Sequence, residues 1–212
     1  MYKTKLALLA IAFPLIFKSQ SFGGSVEFKY FTTKDTTTNV YYIKDKTVKL
    51  DQFGKRSGAV EGSFVFDLAG NTIKFVNPKR KVWGEHKSET APVIRGVCEV
   101  KKTTNTKTVQ GAKCTEYTVK NVDENTIISY WIATGKYEFF NPLVKLWNRK
   151  DKQSIYYNQI TGLPVGVMPM LSEEKQITDG KLITRLEVVK ISKTPVDEAS
   201  ITIPADYKKF EQ

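Results

Sequence analysis

Few residues in this chain have chemistry to offer. Cys98 and Cys114 are the only cysteines among 212 residues, and His86 is the only histidine. The cysteines fall on the two predicted arms of one hairpin, Val97 to Lys102 and Val109 to Val119. With a three-residue connection, Asn105 to Lys107, they face each other, and an oxidising compartment would join them. The expectation is a Cys98–Cys114 disulfide, contributing roughly 3 kcal/mol in the chain-entropy description. A bulge at Gly111 would shift that register by one.

Two cysteines and one histidine without ligand spacing fall short of a four-ligand zinc site, so neither a metal nor a cofactor is expected. His86 sits in Trp83-Gly84-Glu85-His86-Lys87, a loop-like context with no facing partner. No Gly-x-Ser-x-Gly elbow, Ser-x-x-Lys motif or phosphate-cradling glycine loop occurs. Paired carboxylates of the glycosidase kind leave no sequence signature. Nothing points positively to an enzyme, and no catalytic residue is assigned.

The compartment is read from the first two dozen residues. Lys3 and Lys5 precede an apolar run from Leu6 to Phe17, interrupted by Pro14 and followed by Ser19-Gln20-Ser21. A helix needs about 20 apolar residues to cross a bilayer, so this run reads as a cleaved export signal over residues 1–21. One β-rich domain, residues 22–212, is expected to follow, periplasmic or secreted and without stable membrane insertion. The formal charge of the chain is +11. Losing Lys3, Lys5 and Lys18 leaves +8, a surface that favours anionic partners. Export makes nucleic acid the least suitable of them, and the lysines are scattered as on a solvated surface.

Short runs of period-two alternation separated by turn chemistry predict antiparallel hairpins in series. Val26, Phe28 and Tyr30 alternate with polar residues; Val40 to Ile43 turns through Lys44-Asp45-Lys46 into Val48 and Leu50. Phe64 and Phe66 turn through Ala69-Gly70-Asn71 into Ile73 and Phe75, and Asn77-Pro78 turns the chain again. Glu85 to Pro92 reads as a loop. Further strands are predicted over Thr126 to Ala133, Val165 to Met170, Leu182 to Ile191 and Ser200 to Ile203. About ten strands with little helix predict a mainly β fold, a single sheet curved on itself so that one face is not left wet.

One segment departs from that period. Asn141-Pro142 starts a helix in which Leu143, Leu146 and Trp147 fall on one side and Lys145, Arg149 and Lys150 toward the other. With Phe139 and Phe140 ahead of it, this stretch is either a plug of the β-core or a lid over a ligand.

Several stretches carry a resemblance: Val40-Tyr41-Tyr42-Ile43-Lys44, Asn77-Pro78-Lys79-Arg80-Lys81, Val109-Gln110-Gly111-Ala112-Lys113-Cys114, Ser129-Tyr130-Trp131-Ile132, Thr161-Gly162-Leu163-Pro164 and Ile203-Pro204-Ala205-Asp206-Tyr207. In order, they resemble a family of exported domains of unknown function from Gram-negative bacteria. That family is similar in layout to the lipoprotein-localisation factors LolA and LolB. The resemblance implies a half-barrel, a curved antiparallel sheet with one or two short helices over its concave face, and transfers no catalytic residue. The chain departs from those carriers in having one clear helical segment and no arginine that stands out for acyl binding.

Two functions follow. The first is a binding protein holding a lipid or acyl ligand in the concavity, with Phe139, Phe140, Leu143, Leu146, Trp147, Trp131, Phe64, Phe66 and Phe75, together with Phe28 and Tyr42, as candidate lining. The second is a structural or interaction module engaging an envelope protein or lipoprotein.

Overall fold

The computed structural model describes residues 21–88, 90 and 93–210. The expected export signal lies, except for Ser21, outside the described residues. Six strands form the first half: β1 (Gly24–Thr32), β2 (Thr36–Lys44), β3 (Thr47–Phe53), β4 (Val60–Asp67), β5 (Thr72–Asn77) and β6 (Val82–His86). Then follow β7 (Glu99–Val109), β8 (Ala112–Asn121), β9 (Thr126–Thr134), the helices α1 (Phe140–Trp147) and α2 (Lys152–Tyr157), β10 (Val167–Gln176) and β11 (Leu182–Ser192). A short α3 (Glu198–Ile201) and β12 (Lys208–Lys209) close the described chain.

All twelve strands form one sheet in the order β12-β6-β5-β4-β3-β2-β1-β11-β10-β9-β8-β7. The two meanders, β1 to β6 and β7 to β11, meet where β1 pairs antiparallel with β11. The connection between β6 and β7 therefore carries the chain from one side of the sheet to its opposite edge. Every ladder is antiparallel except the short β12–β6 pair. The sheet is open, and its curvature can be deduced. Helix α1 touches both β10 and β5, which stand six positions apart in the strand order. Six spacings of a flat sheet span about 29 Å, whereas an eight-residue helix is about 12 Å long. The sheet must wrap around the helix, and bulges at Glu27/Phe28, Gln52/Phe53 and Pro169/Leu171 supply the bends.

The predicted turns at Asp45 and Asn71 form with left-handed backbone, φ 53° and 52°. Four expectations are corrected. The hairpin of β7 and β8 turns at Gln110-Gly111, both at positive φ (48° and 75°), the pattern of a two-residue primed turn. The polar run predicted as its turn is instead a bulge within β7, where Thr103 and Asn105 donate to Glu116 Oε2 at 2.9 and 2.8 Å. That relocates both cysteines: Cys114 lies opposite Lys107, and Cys98 precedes Glu99, which pairs with Lys120. Both are free thiols, and the expected disulfide is absent. Seven residues of β8 separate the two positions, about 23 Å, against a Cα limit of about 7 Å for a bridge. Third, Glu85 and His86 extend β6 and do not belong to a loop. Fourth, the predicted strand Ser200 to Ile203 does not form: Ser200 and Ile201 end the short helix α3, and Thr202 and Ile203 are irregular.

Candidate functional site

The helices α1 and α2 connect the neighbouring strands β9 and β10 and lie over the concave face. Helix α1 begins two residues earlier than expected, with Phe139 at its cap position and no side-chain cap. Asn141 does not cap it; its Oδ1 accepts from Tyr157 Oη at 2.7 Å and so ties α1 to α2. Pro142 remains in the first turn, where a missing amide costs nothing. Leu143 is wholly buried in the core, and Asn148 ends the helix in the left-handed conformation, φ 47°. A second short helix was allowed for, but its position at α2 was not read from the sequence. Asp151 starts it, accepting from Ser154 N at 3.0 Å, and Tyr130 Oη of β9 donates to the Gln153 carbonyl at 2.7 Å.

Between these helices and the sheet is a cavity of about 130 Å³. Its apolar wall includes Val26, Phe28, Tyr41, Leu50, Phe140, Leu143, Trp147, Met168 and Val188. Its polar wall carries Tyr30, Asn39, Gln52, Arg149, Asp151, Gln153 and Ser172. Arg149 is ion-paired with Asp151 and its guanidinium lies 4.6 Å from the Trp147 ring centre, so the charge at this rim is already partnered. Burial pushes the Tyr30, Tyr41 and Tyr130 phenols above their ordinary range, which keeps the hydroxyls of this face neutral. A second hollow of about 340 Å³ shares Gln52 and adds Phe64, Phe75, Arg80 and Phe210. Trp147, in the wall of the first, packs on Phe64 of the second and on Phe66, with ring centres 5.5 and 5.1 Å apart.

Of the residues expected to line a site, Phe28, Phe140, Leu143 and Trp147 meet at the first cavity, and Phe64 and Phe75 at the second. Phe66 and Phe139 are buried core, and Leu146 packs on that core. Trp131 is not brought to the cavity. It alternates with Tyr130 and Ile132 along β9 and so lies on the other face, with Lys107 Nζ 4.5 Å from its ring centre. Tyr42 likewise points away, because its neighbour Tyr41 takes the inward position. The sequence reading missed Tyr30, Asn39, Tyr130, Gln153 and Ser172. A signal existed for the strand residues: Tyr30, Asn39 and Ser172 are polar groups at inward positions of alternating strands. Gln153 gave none, since α2 has too few turns to show a period.

Among the described residues, no cluster of three or more His, Cys, Asp or Glu could hold a metal ion, and no helix is long and apolar enough to cross a membrane. No curated protein matches the chain. Among solved structures, an uncharacterized conserved protein from Thermus thermophilus is similar over 91% of this chain and 91% of its own, with 9% identity and a TM-score of 0.53. That is a likeness of fold. Weaker matches include the LolA superfamily protein NE2245 from Nitrosomonas europaea, at 10% identity and a TM-score of 0.35 over 88% of this chain and 91% of that one. MucB, solved in complex with MucA(peri), matches at 12% identity and a TM-score of 0.45 over 90% of this chain and 55% of that one. One sequence family spans nearly all of the described fold, from Phe22 before β1 to Tyr207 before β12: the chain belongs to the family described as Domain of unknown function (DUF4412), which matches residues 22–207.

Proposed function

We propose that the protein is an exported, periplasmic binding protein that holds a lipid or other apolar ligand in the concavity beneath α1 and α2. The observation that carries this reading is the cavity itself. Buried aromatic and aliphatic side chains line it on the sheet and helix sides, with polar groups gathered at one side, the composition of a ligand pocket. Its volume of about 130 Å³ is below the roughly 300–1,000 Å³ of common ligand sites. It takes a small group as it stands, and a long acyl chain requires α1 to yield or the second hollow to join. The expected export signal supports the compartment, and the excess of lysine supports anionic surroundings.

Mass spectrometry of an organic extract of the natively exported protein tests the reading. A stoichiometric lipid or other apolar molecule recovered in repeated preparations is the expected result. A clean extract, together with a reproducible protein partner on pull-down, would favour a non-enzymatic interaction module of the cell envelope instead. The edge strand β7 would be the strand available to such a partner, although its Lys101, Lys102 and Lys107 are of the kind that blunts an edge against pairing.

A further inference from the structure

We propose that the polar side of the cavity selects amphiphiles whose apolar body ends in an uncharged hydrogen-bond donor, a hydroxyl or an amide N–H, received by Gln153 Oε1. The inference rests on the reading of the cavity as a ligand site and adds the chemistry of the head group. Gln153 is 6% exposed and lines the cavity. Its Nε2 donates to Thr184 Oγ1 at 3.0 Å, and Thr184 Oγ1 in turn donates to Glu174 Oε2 at 2.7 Å. A hydroxyl has one proton, and here the buried Glu174 takes it, so the amide nitrogen must face Thr184. The amide oxygen is thereby fixed as an acceptor, and it has no protein partner although it is fully buried.

The backbone that carries this side chain is held in place: Tyr130 donates to the Gln153 carbonyl at 2.7 Å, and the Asp151 cap on Ser154 N, 3.0 Å long, holds the first turn of α2. A buried acceptor left without a donor is unfavourable, and a ligand donor recovers the loss once the side chains that cover Oε1 give way to it. The same wall discriminates against a carboxylate. Beside Gln153 stand Asp151 and Arg149, paired with each other, and behind Thr184 stands Glu174, already receiving its proton. An anionic head group would have to compete with Asp151 for the one cation of the wall, or bury an unpaired charge. Asn39 and Ser172, 4% and 2% exposed, extend the polar wall without adding charge.

Titration of isotope-labelled protein followed by NMR, with 1-hexanol, 1-fluorohexane and hexanoate, tests the proposal. The fluoro compound matches the alcohol in size and lacks the donor. Hexanol should bind about ten-fold tighter than fluorohexane, shift the Gln153 side-chain amide resonances, and exceed hexanoate. Gln153→Leu should bring hexanol down to the fluorohexane value. Equal affinity of alcohol and fluoro compound for the parent protein overturns the proposal, including the case in which water already serves Oε1, while leaving the apolar site standing. Tighter binding of hexanoate overturns it in favour of an anion site. Failure of all three to bind removes the ligand-site reading and the inference with it. The parent comparison needs no variant, so it decides the matter even if Gln153→Leu does not fold.

Discussion

Tyr130 and Gln153 join the sheet to the helical cover: the phenol of a wholly buried strand residue donates 2.7 Å to the main-chain carbonyl in the first turn of α2. The bond lies inside the second core cluster, where Tyr130 also meets the Tyr157 ring edge-on at 5.7 Å. Tyr130→Phe keeps the ring and removes only the donor. Urea denaturation should show a loss of about 1 kcal/mol, with unchanged cooperativity. A loss near zero would mean that α2 is held by its apolar contacts alone.

The two cysteines should behave as separate thiols. Cys114 is buried, with its thiol pushed up by that burial, while Cys98 is half-buried beside Asn121 Nδ2 at 3.7 Å. Alkylation of the natively exported protein should label Cys98 first and Cys114 only on unfolding, and non-reducing peptide mapping should find no linked fragment. A linked fragment would require the β7–β8 register to be different.

How far the sequence could be read is seen in that same hairpin. Alternation marked the inward positions of β1, β2 and most of β3, where one face of the sheet is buried and the period is two, but it gave no such guide here, because β7 is exposed along nearly its whole length. The turn was misplaced because Thr104-Asn105-Thr106-Lys107 has turn-like composition, whereas Gln110-Gly111 gives only one glycine as a clue. A bulge and a turn draw on the same polar residues, and only the partner strand, here Glu116, distinguishes them. At the site, the aromatic helix was legible from its spacing. The hydrogen-bonded wall was not, since Gln153, Thr184 and Glu174 come together only through tertiary pairing of α2, β11 and β10.

Gly111 gives a clean measure of the turn. Its φ is 75°, and an added Cβ would meet nothing within 4 Å. Gly111→Ala therefore costs backbone strain alone, about 1 to 2 kcal/mol for a left-handed residue. Chemical denaturation should report that loss, and Gly180→Ala, at φ 69° with equally open surroundings, should match it. A neutral Gly111→Ala would argue against a primed turn.

Acid should loosen the attachment of α2. Tyr156 Oη donates to Glu124 Oε2 at 2.7 Å, and with the Arg95 N–H and Lys152 this holds the Glu124 carboxyl below its ordinary value of 4.5, against the opposing effect of burial. A carboxyl depressed in the folded state stabilises the fold above the unfolded value. That contribution is lost as pH falls through the folded value. The stability of the parent should therefore drop more steeply than that of Glu124→Gln between about pH 5 and about pH 3, measured as denaturation midpoints across the range. Identical pH profiles would show that Glu124 does not contribute in this way.

Trp147 should set the length of ligand the concavity accepts. Its ring lines the first cavity and packs on Phe66 and on Phe64, a wall residue of the second hollow, at 5.1 and 5.5 Å. Helix α1 itself is anchored by the wholly buried Leu143, so removing the tryptophan ring should leave the helix in place and join the two spaces. Leu143→Ala is the contrasting change, which should cost about 2 to 5 kcal/mol through a new core void. For Trp147→Ala the expected loss is smaller, because the side chain is only partly buried. Its binding should change in kind: relative to the parent, a twelve-carbon alcohol should gain affinity over a six-carbon one. If Trp147→Ala instead weakens both equally, the ring is a contact surface for the ligand, and the second hollow takes no part in binding.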